Sequence, residues 1–252
     1  MECRHFFHFL FYLTDYVCYY IIKYAFKYTG WYIIMEKGKQ GALRYEAYRL
    51  IKDKIIYLDI KPGDKISEAE LAKSLNTSRT PVREALLMLE HEKLLICDDS
   101  MGFMVRRLNI KDVEEYFAVR EVIEDFVLSL TVKNITEEDM EELRRNIASG
   151  EAIVKGGNIR EIIRCETEFH EIMYRATKSD VLLETISPLI DKFQWFRGLA
   201  LSMPGAASNS LAQHKKMLEL IEKKDLKGLK RLMKAHLREA KGRIKFLPGI
   251  LL

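Results

Sequence analysis

The carboxy-terminal half of the chain carries apolar residues at helical spacing, with little interruption, from Ile110 to about residue 246. Apolar side chains that recur every three to four residues line one face of an α-helix, and proline or glycine breaks separate one helix from the next. One proline-containing break of consequence, "SMPGAASNS", falls in this region, and Thr136 with Asp139 and the loop "KDLKG" mark other boundaries. The pattern predicts an all-α bundle over residues 110–246, with helices at 110–132, 136–155, 158–176, 179–201, 207–223 and 226–246.

The length and composition suit two modest domains, since the chain has 252 residues, of which 48% are hydrophobic and 31% charged. The formal charge of +4 permits a nucleic-acid partner without arguing for one, because an ordinary solvated surface with a few extra lysines has the same charge. The four cysteines (Cys3, Cys18, Cys97 and Cys165) show neither CxxC spacing nor the framework of a small secreted domain. We therefore expect a reducing, cytoplasmic compartment.

Residues 1–34 differ from the rest of the chain, because they hold 13 of its 26 aromatic residues. In one interpretation translation starts at Met35 and the preceding codons are a spurious extension, since Phe, Tyr, Ile and Lys are the residues that AT-rich DNA encodes. In a second the segment is a membrane anchor or interfacial segment, although Asp15, Lys23 and Lys27 interrupt the run of about 20 uncharged residues that a spanning helix needs. In a third it is a soluble element. We expect the first, and a membrane partner only if the extension is real.

Residues 41–107 show the pattern of three helices. The first, "ALRYEAYRLIKDKIIYLD", ends at the turn "KPGDKI". Ser67 and Glu70 form a capping box that begins the second, "SEAELAKSL". Ser78 can cap the third, "RTPVREALLMLEHEKLL", with Pro81 in the first turn, where a missing N–H costs little. Two short helices joined by a three- or four-residue turn predict a helix-turn-helix.

Two arginines stand near the amino end of the third helix, where Arg79 and Arg83 share one face. A recognition helix needs fork-shaped cationic donors there, because that end enters the major groove and a guanidinium matches guanine O6 and N7 or a phosphate. Alternatively, both are solvated surface arginines, and the surrounding pattern favours the first interpretation. The following segment, "LICDDSMGFMVRRL", predicts a β-hairpin wing around a turn that ends in Gly102.

The segment "PGDKISEAELAKSLNTSRTPVREALLMLEHEKLL" resembles the winged helix-turn-helix of the GntR family of bacterial transcription regulators, over roughly residues 41–107. The block "SRTPVREAL" is the most specific part of the resemblance. It implies a set of DNA-contacting residues: Arg79 and Arg83 on bases and backbone, Ser78 and Thr80 on phosphates, and the wing around Gly102 near the minor groove. The wing tip "DDSMGF" is acidic where many members are basic, so the contacts from the third helix carry more weight.

Three of the six histidines and one carboxylate lie on the apolar stripes of predicted helices: Glu166 and His170 in "CETEFHEIM", His214 in "SNSLAQHKKMLELI", and His236 in "LKGLKRLMKAHLREAKGRI". A single inward histidine is usually a hydrogen-bonded core residue, whereas an inward charged Glu is costly without a partner. Imidazole and carboxylate are ligands that Zn, Ni, Mn or Fe accept, and a small ligand set leaves positions for water or an effector carboxylate. Spacing alone leaves core residues and a divalent-metal site both open.

The same region resembles the ligand-binding (FCD) domain of the FadR subfamily of GntR regulators, over roughly residues 110–245. The resemblance rests on "VREVIEDFVLSL", "ETEFHEIMYRATKSD" and the later "QH" and "AH" pairs. In metal-binding members an Asp or Asn and three histidines hold a divalent ion, so it implies a site of Glu166, His170, His214 and His236, with Glu where Asp is usual. Arg120, Arg164 and Arg197 are candidates to orient an anionic effector, or else members of structural ion pairs.

We expect a sequence-specific DNA-binding transcription regulator and not an enzyme. A small organic acid would dock on the metal-bearing cavity, repack the helical domain and change the separation of two DNA-reading heads on a double-stranded operator. Two-fold operators imply a homodimer. A metal-dependent hydrolase is one alternative, although the sequence lacks "HExxH", a Ser or Cys nucleophile motif and a glycine-rich phosphate loop. Another is a DNA-binding module whose carboxy-terminal domain only dimerises.

Overall fold

A computed structural model describes residues 38–98, 100, 102–247 and 249. Residues 1–34 lie outside the described residues, so the interpretations of that extension stay predictions. The described residues divide into two compact units, one made of those up to Lys52 with those of Ile66–Leu95, the other of Asp53–Lys65 with those from Ile96 on. No helix in the described part of the chain combines the length and apolar character needed to cross a bilayer.

Three helices come first along the chain: α1 (Gly38–Ile56), α2 (Glu68–Ser74) and α3 (Arg79–His91). The Ser67 side chain accepts a hydrogen bond from the Glu70 N–H at 3.3 Å, which is one of the two bonds of the predicted capping box. Ser78 stands at the N-cap position of α3 but makes no capping hydrogen bond, so the predicted cap is wrong there. The reason is local, because the N3 residue that would donate the bond is Pro81, which has no N–H.

A three-stranded sheet contains β1 (Lys65–Ile66), β2 (Leu95–Asp98) and β3 (Gly102–Val105), in the order β1-β3-β2. The strands β2 and β3 are the two arms of the predicted wing, and Gly102 has the positive φ of 73° that favours glycine in a turn. The strand β1 was not predicted. It pairs with β3 through bonds such as Val105 N–H to the Asp64 carbonyl, at 2.9 Å, and a two-residue segment carries no periodicity of its own.

Six helices follow: α4 (Ile110–Asn134), α5 (Glu137–Gly156), α6 (Ile159–Ala176), α7 (Asp180–Leu201), α8 (Ala206–Glu222) and α9 (Leu226–Lys245). Their ends agree with the predicted boundaries to within two residues. The Thr136 cap forms both bonds of its box with Asp139, which fixes the start of α5. The predicted fold class, mainly α with a small β wing, is confirmed.

The helix α6 lies at the centre of the bundle, since it contacts α4, α5, α7 and α8. Side chains such as Ile163, Phe169 and Met173 are fully buried on it. Polar residues at neighbouring positions, Glu166 and His170 among them, are therefore buried as well. The bundle core thus contains polar groups that the apolar packing around them cannot satisfy.

Candidate functional site

The amino end of α3 presents its polar side chains to solvent. Ser78, Arg79 and Thr80 are exposed, and the Arg83 side chain is 64% exposed. The opposite face of the helix is buried through Val82, Ala85, Leu86 and Leu89. Arg83 lies 3.6 Å from the Glu68 carboxylate, a surface pair that costs little to exchange for a phosphate or base edge. This end of α3 therefore has the exposure and the charge of a DNA-reading surface.

Gly102 begins β3 at the tip of the hairpin and is exposed. The exposed neighbours on the tip include Asp98, whose carboxylate accepts bonds from the Ser100 N–H and hydroxyl. An acidic tip repels phosphate, so a contact near Gly102 would have to come from the backbone. The candidate DNA-contacting side chains are thus those of α3.

Three histidines meet in the core of the bundle: His170 from α6, His214 from α8 and His236 from α9. Their side chains are nearly inaccessible, at 0%, 1% and 7% exposure. The ring centroids lie 5.1 to 5.7 Å apart, and each ring offers a nitrogen within 4.8 Å of a nitrogen of the other two. Among the described residues this is the group whose ligand atoms come close enough to share one metal ion.

Three of the six ring nitrogens lack hydrogen-bond partners among the described residues. Gln213 Oε1 lies 2.7 Å from His236 Nδ1, which leaves the Nε2 atom of that ring for the centre of the cluster. Both nitrogens of His170 and Nε2 of His214 have no hydrogen-bond partner within the described part of the chain. The carboxylate oxygens beside them are farther than a hydrogen bond, with Glu124 Oε1 3.5 Å from His170 Nδ1 and Glu166 Oε2 3.6 Å from His214 Nε2. Because buried polar atoms are nearly always bonded, unpartnered nitrogens in a cluster of three imidazoles need an explanation, and an ion is one.

Burial keeps all three imidazoles neutral, which is the state that ligates metal. Removal from water, reinforced by the guanidinium of Arg197, holds the pKa of His170 well below its usual range. Burial and the neighbouring imidazoles do the same for the pKa of His214. Burial, with Arg120 and Arg197, lowers the pKa of His236 to about 3. No proton has to leave these rings before an ion binds at neutral pH.

Glu166 lies beside this cluster and is not one of its close members. Its Oε2 atom is 3.6 Å from His214 Nε2 and accepts a 2.5 Å hydrogen bond from the Ser210 hydroxyl on α8. Burial raises the pKa of Glu166 to about 7, against the opposing effects of the Ser210 bond and Arg197. The predicted fourth ligand is therefore near the histidines and held by a serine that was not singled out from the sequence. Ser210 precedes His214 by one helical turn, and this spacing was the signal available for it.

Two buried arginines flank the cluster. Arg120 Nε donates to Glu124 Oε1 at 3.2 Å, and Glu124 also accepts a 2.8 Å bond from the Tyr174 hydroxyl. Arg197 Nη1 donates to Thr167 Oγ1 at 2.8 Å. One nitrogen of each guanidinium, Nη2 of Arg120 and Nε of Arg197, lacks a partner among the described residues. Burial, followed by the repulsion from Arg120, lowers the pKa of Arg197 to about 10.

The third arginine predicted to orient an effector is elsewhere. Arg164 is exposed on α6 and lines a surface groove between α5 and α6 with Glu161 and Glu168. It lies two residues from Glu166, which is about 200° around a helix, so the side chains point in opposite directions. The structure thus brings Arg120 and Arg197, and not Arg164, to the histidine cluster.

Two family models match the chain. The model described as "Bacterial regulatory proteins, gntR family" matches residues 43–105, and the model described as "FCD domain" matches residues 115–239. Among curated relatives, the "Uncharacterized HTH-type transcriptional regulator YdhC" of Bacillus subtilis is 32% identical over 190 residues, or 75% of this chain and 85% of the relative. The "HTH-type transcriptional repressor RspR" of Escherichia coli is 24% identical over 77% of this chain and 85% of the relative.

Solved structures agree on the fold. The structure titled "E. coli McbR/YncC" superposes with a TM-score of 0.69 at 22% identity, over 81% of this chain and 97% of that one. A "putative transcriptional regulator GntR from Rhodococcus sp. RHA1" superposes with a TM-score of 0.66 at 18% identity, over 80% and 97%. With the family models and the relatives, these findings identify the chain as a member of the GntR family of bacterial transcription regulators, with a GntR-type helix-turn-helix followed by an FCD domain.

Proposed function

We propose that this DNA-binding regulator holds a divalent metal in its FCD domain and that a small carboxylate metabolite, bound at the metal, sets its affinity for the operator. The observation that carries the proposal is the cluster of three buried imidazoles with unpartnered nitrogens. The regulator acts as a homodimer in the cytoplasm, where its operator lies. Membership of a family of HTH-type transcriptional regulators supports the DNA-binding part directly.

The geometry of the histidines favours Zn, Ni, Mn or Fe. Zinc lies about 2.0–2.1 Å from each histidine nitrogen, so tetrahedral ligands stand roughly 3.4 Å apart. The nitrogens of His170, His214 and His236 lie within 4.8 Å of one another, so a contraction of at most about 1.4 Å brings them to the metal. Glu166 would supply the fourth ligand by exchanging its bond with Ser210 for the metal. Expansion beyond four ligands would then be needed to admit an effector oxygen.

The charges around the cluster favour an anionic effector. Arg120 and Arg197 place two buried guanidinium groups beside the histidines, and the carboxylates of Glu124 and of the metal-bound Glu166 would balance them. A divalent ion would then leave the site with an excess of positive charge. A carboxylate would neutralise this excess and satisfy the free N–H groups of both arginines, each a charge-assisted bond of about 1.5–3 kcal/mol.

The DNA contacts would come from α3. Arg79 and Arg83 would reach bases and backbone, and Ser78 and Thr80 would bind phosphates. The Ser78 hydroxyl is not engaged as a cap, because Pro81 cannot donate to it, so it is available for a phosphate oxygen. The backbone around Gly102 would approach the minor groove.

Neither alternative has an observation in its favour. The relatives of known class are transcriptional regulators, so a hydrolase has no support beyond the donor set. A domain that only dimerises leaves the unpartnered imidazoles and guanidinium groups without a role.

A thermal-shift screen of carboxylate metabolites, with and without added Zn or Ni, tests the proposal. We expect a metal-dependent hit in the full-length protein and loss of that hit in His214→Ala. His91→Ala is the matched control, because His91 is exposed at the end of α3. A protein that is purified without metal and whose melting temperature changes with neither metal nor chelator would instead favour the dimerisation-only alternative.

A further inference from the structure

The helix α4 carries an exposed apolar seam on the face opposite its core. Its buried side includes Val113, Phe117 and Val127, whereas Val119, Val122 and Phe126 are 49%, 72% and 55% exposed. Single exposed apolar residues are ordinary, but three at successive positions of one helical stripe form a patch that marks an interaction surface.

The spacing along this stripe is that of a coiled-coil seam. Intervals of four, three, four, three and four residues separate Glu115, Val119, Val122, Phe126, Ser129 and Lys133. A repeat averaging 3.5 residues keeps one stripe facing a single partner helix along its whole length. The stripe from Glu115 to Lys133 is roughly 27 Å long at about 1.5 Å per residue.

We infer that this seam is the surface on which two copies of the chain pair, with their α4 helices antiparallel about a two-fold axis at the level of position 124. In that register Val122 packs against Phe126 of the partner subunit, and Val119 packs against Ser129 of the partner subunit. Glu115 meets Lys133 of the partner subunit, and the symmetry repeats each contact. The inference rests on the homodimer of the proposed function and names its surface.

The charges at the two ends of the seam favour a second copy of the chain as the partner and an antiparallel arrangement of the two α4 helices. The seam has an acidic end at Glu115 and a basic end at Lys133, so a two-fold rotation places opposite charges together. A parallel pair would oppose like charges at both ends. Within one chain Glu115 pairs with Lys111 at 3.7 Å, where both side chains are more than 60% exposed, and so weak a pair yields readily to a second copy.

The charged side chains that flank the seam are already paired with opposite charges of the same chain, which suits a partner surface of no net charge. Asp125 pairs with Lys230 at 2.6 Å, and Glu121 pairs with Lys234 at 2.5 Å. The Ser129 hydroxyl donates to the Asp125 carbonyl at 2.9 Å, so its burial leaves no donor unsatisfied.

A groove beside the seam fits the aromatic side chain of a second copy. It has a volume of about 600 Å³ and lies between α4 and α9. Apolar side chains such as Val122, Met233 and Leu237 line it together with charged ones, among them the Asp125–Lys230 and Glu121–Lys234 pairs. The register places Phe126 of the partner subunit at the level of Val122, beside this groove. Aromatic anchors in apolar pockets carry much of the affinity of protein interfaces.

Two substitutions and a matched control test the inference in sedimentation equilibrium of the full-length protein. We expect Val122→Glu and Phe126→Glu each to weaken dimerisation by at least about 30-fold, the loss seen at interface hot spots. Val181→Glu makes the same change at an equally exposed valine, 76% against 72%, outside the seam, and should leave the dimer unchanged. All three positions are exposed, so circular dichroism should report an intact fold.

A charge exchange tests the register. Glu115→Lys and Lys133→Glu should each weaken the dimer, and the double variant should restore it to within a few-fold of the wild type. A dimer unaffected by Val122→Glu, or a double variant weaker than both singles, overturns this surface and leaves the homodimer standing. A wild-type chain that is monomeric at all concentrations overturns both, while the metal and DNA proposals remain.

Discussion

Replacing His170 with leucine should stabilise the metal-free protein and abolish its response to metal. The His170 ring is fully buried, and neither of its nitrogens has a hydrogen-bond partner among the described residues. A buried polar group without a partner costs about 1–3 kcal/mol, and a hydrophobic replacement of similar size costs under about 1.5 kcal/mol of repacking. Because leucine removes both unpartnered nitrogens, we expect a net gain of about 1–2 kcal/mol in the free energy of unfolding.

Metal should reverse the order of stability. A ligand at 100 times its dissociation constant stabilises a protein by about 2.7 kcal/mol. The wild type gains this amount, whereas the variant, with two histidines left in the cluster, gains little. Near 250 residues each kcal/mol moves the melting temperature by about 2–4 °C. The variant should thus melt several degrees above the wild type in chelator and below it in saturating Zn.

Thermal unfolding followed by circular dichroism measures both differences. His91→Leu is the control, because the same substitution at an exposed position should change stability by under about 0.5 kcal/mol and leave the metal response intact. A chelated His170→Leu protein that is less stable than the chelated wild type would refute the reasoning, since it would show that the ring nitrogens are satisfied. Equal melting of the wild type in Zn and in chelator would refute the metal site itself.

Three further predictions concern the operator, the pH dependence and the effector. Arg83→Ala should weaken operator binding by about 1–3 kcal/mol in gel-shift titrations at fixed salt, whereas Arg145→Ala, at nearly the same exposure (63% against 64%), should not. Because burial raises the pKa of Glu166 to about 7, its proton must leave before it binds metal. Calorimetry should therefore find that Zn affinity falls up to tenfold per pH unit below about pH 7. This pH dependence should vanish in Glu166→Gln, and its persistence there would assign the proton to another group. Arg197→Met should weaken carboxylate binding roughly 10- to 100-fold without changing the metal content, since it removes a charge-assisted bond. The control Arg164→Met, at an exposed position, should leave carboxylate binding unchanged. Equal losses in both variants would place the effector elsewhere.

Sequence reasoning succeeded where the determining contacts are local. The Ser67 and Thr136 caps depend on residues three positions away, and the helix boundaries follow from such signals. The Ser78 cap failed for an equally local reason, since Pro81 at the donor position has no N–H. The strand β1 depends on pairing with β3, some 40 residues along the chain, and its two residues show no pattern by themselves.

The candidate site likewise has features that local sequence determines and features that depend on long-range packing. The apolar stripes indicated that His170, His214 and His236 point inward, but their separation depends on how three helices pack. The bond that holds Glu166 comes from Ser210 on another helix, so its distance from the histidines was not predictable from spacing. That Arg164 points away from the histidine cluster was predictable, because helical geometry places it on the side of α6 opposite Glu166.

The operator affinity of the metal-loaded protein, with and without a carboxylate identified in the thermal-shift screen, tests the central claim most directly. Gel-shift titrations at fixed salt should show a change of about 5- to 150-fold on addition of the carboxylate, the range of typical allosteric coupling. The change should disappear in chelator and in His170→Leu. A carboxylate response of the same size in the chelated protein would contradict the account, because the effector would then act without the metal.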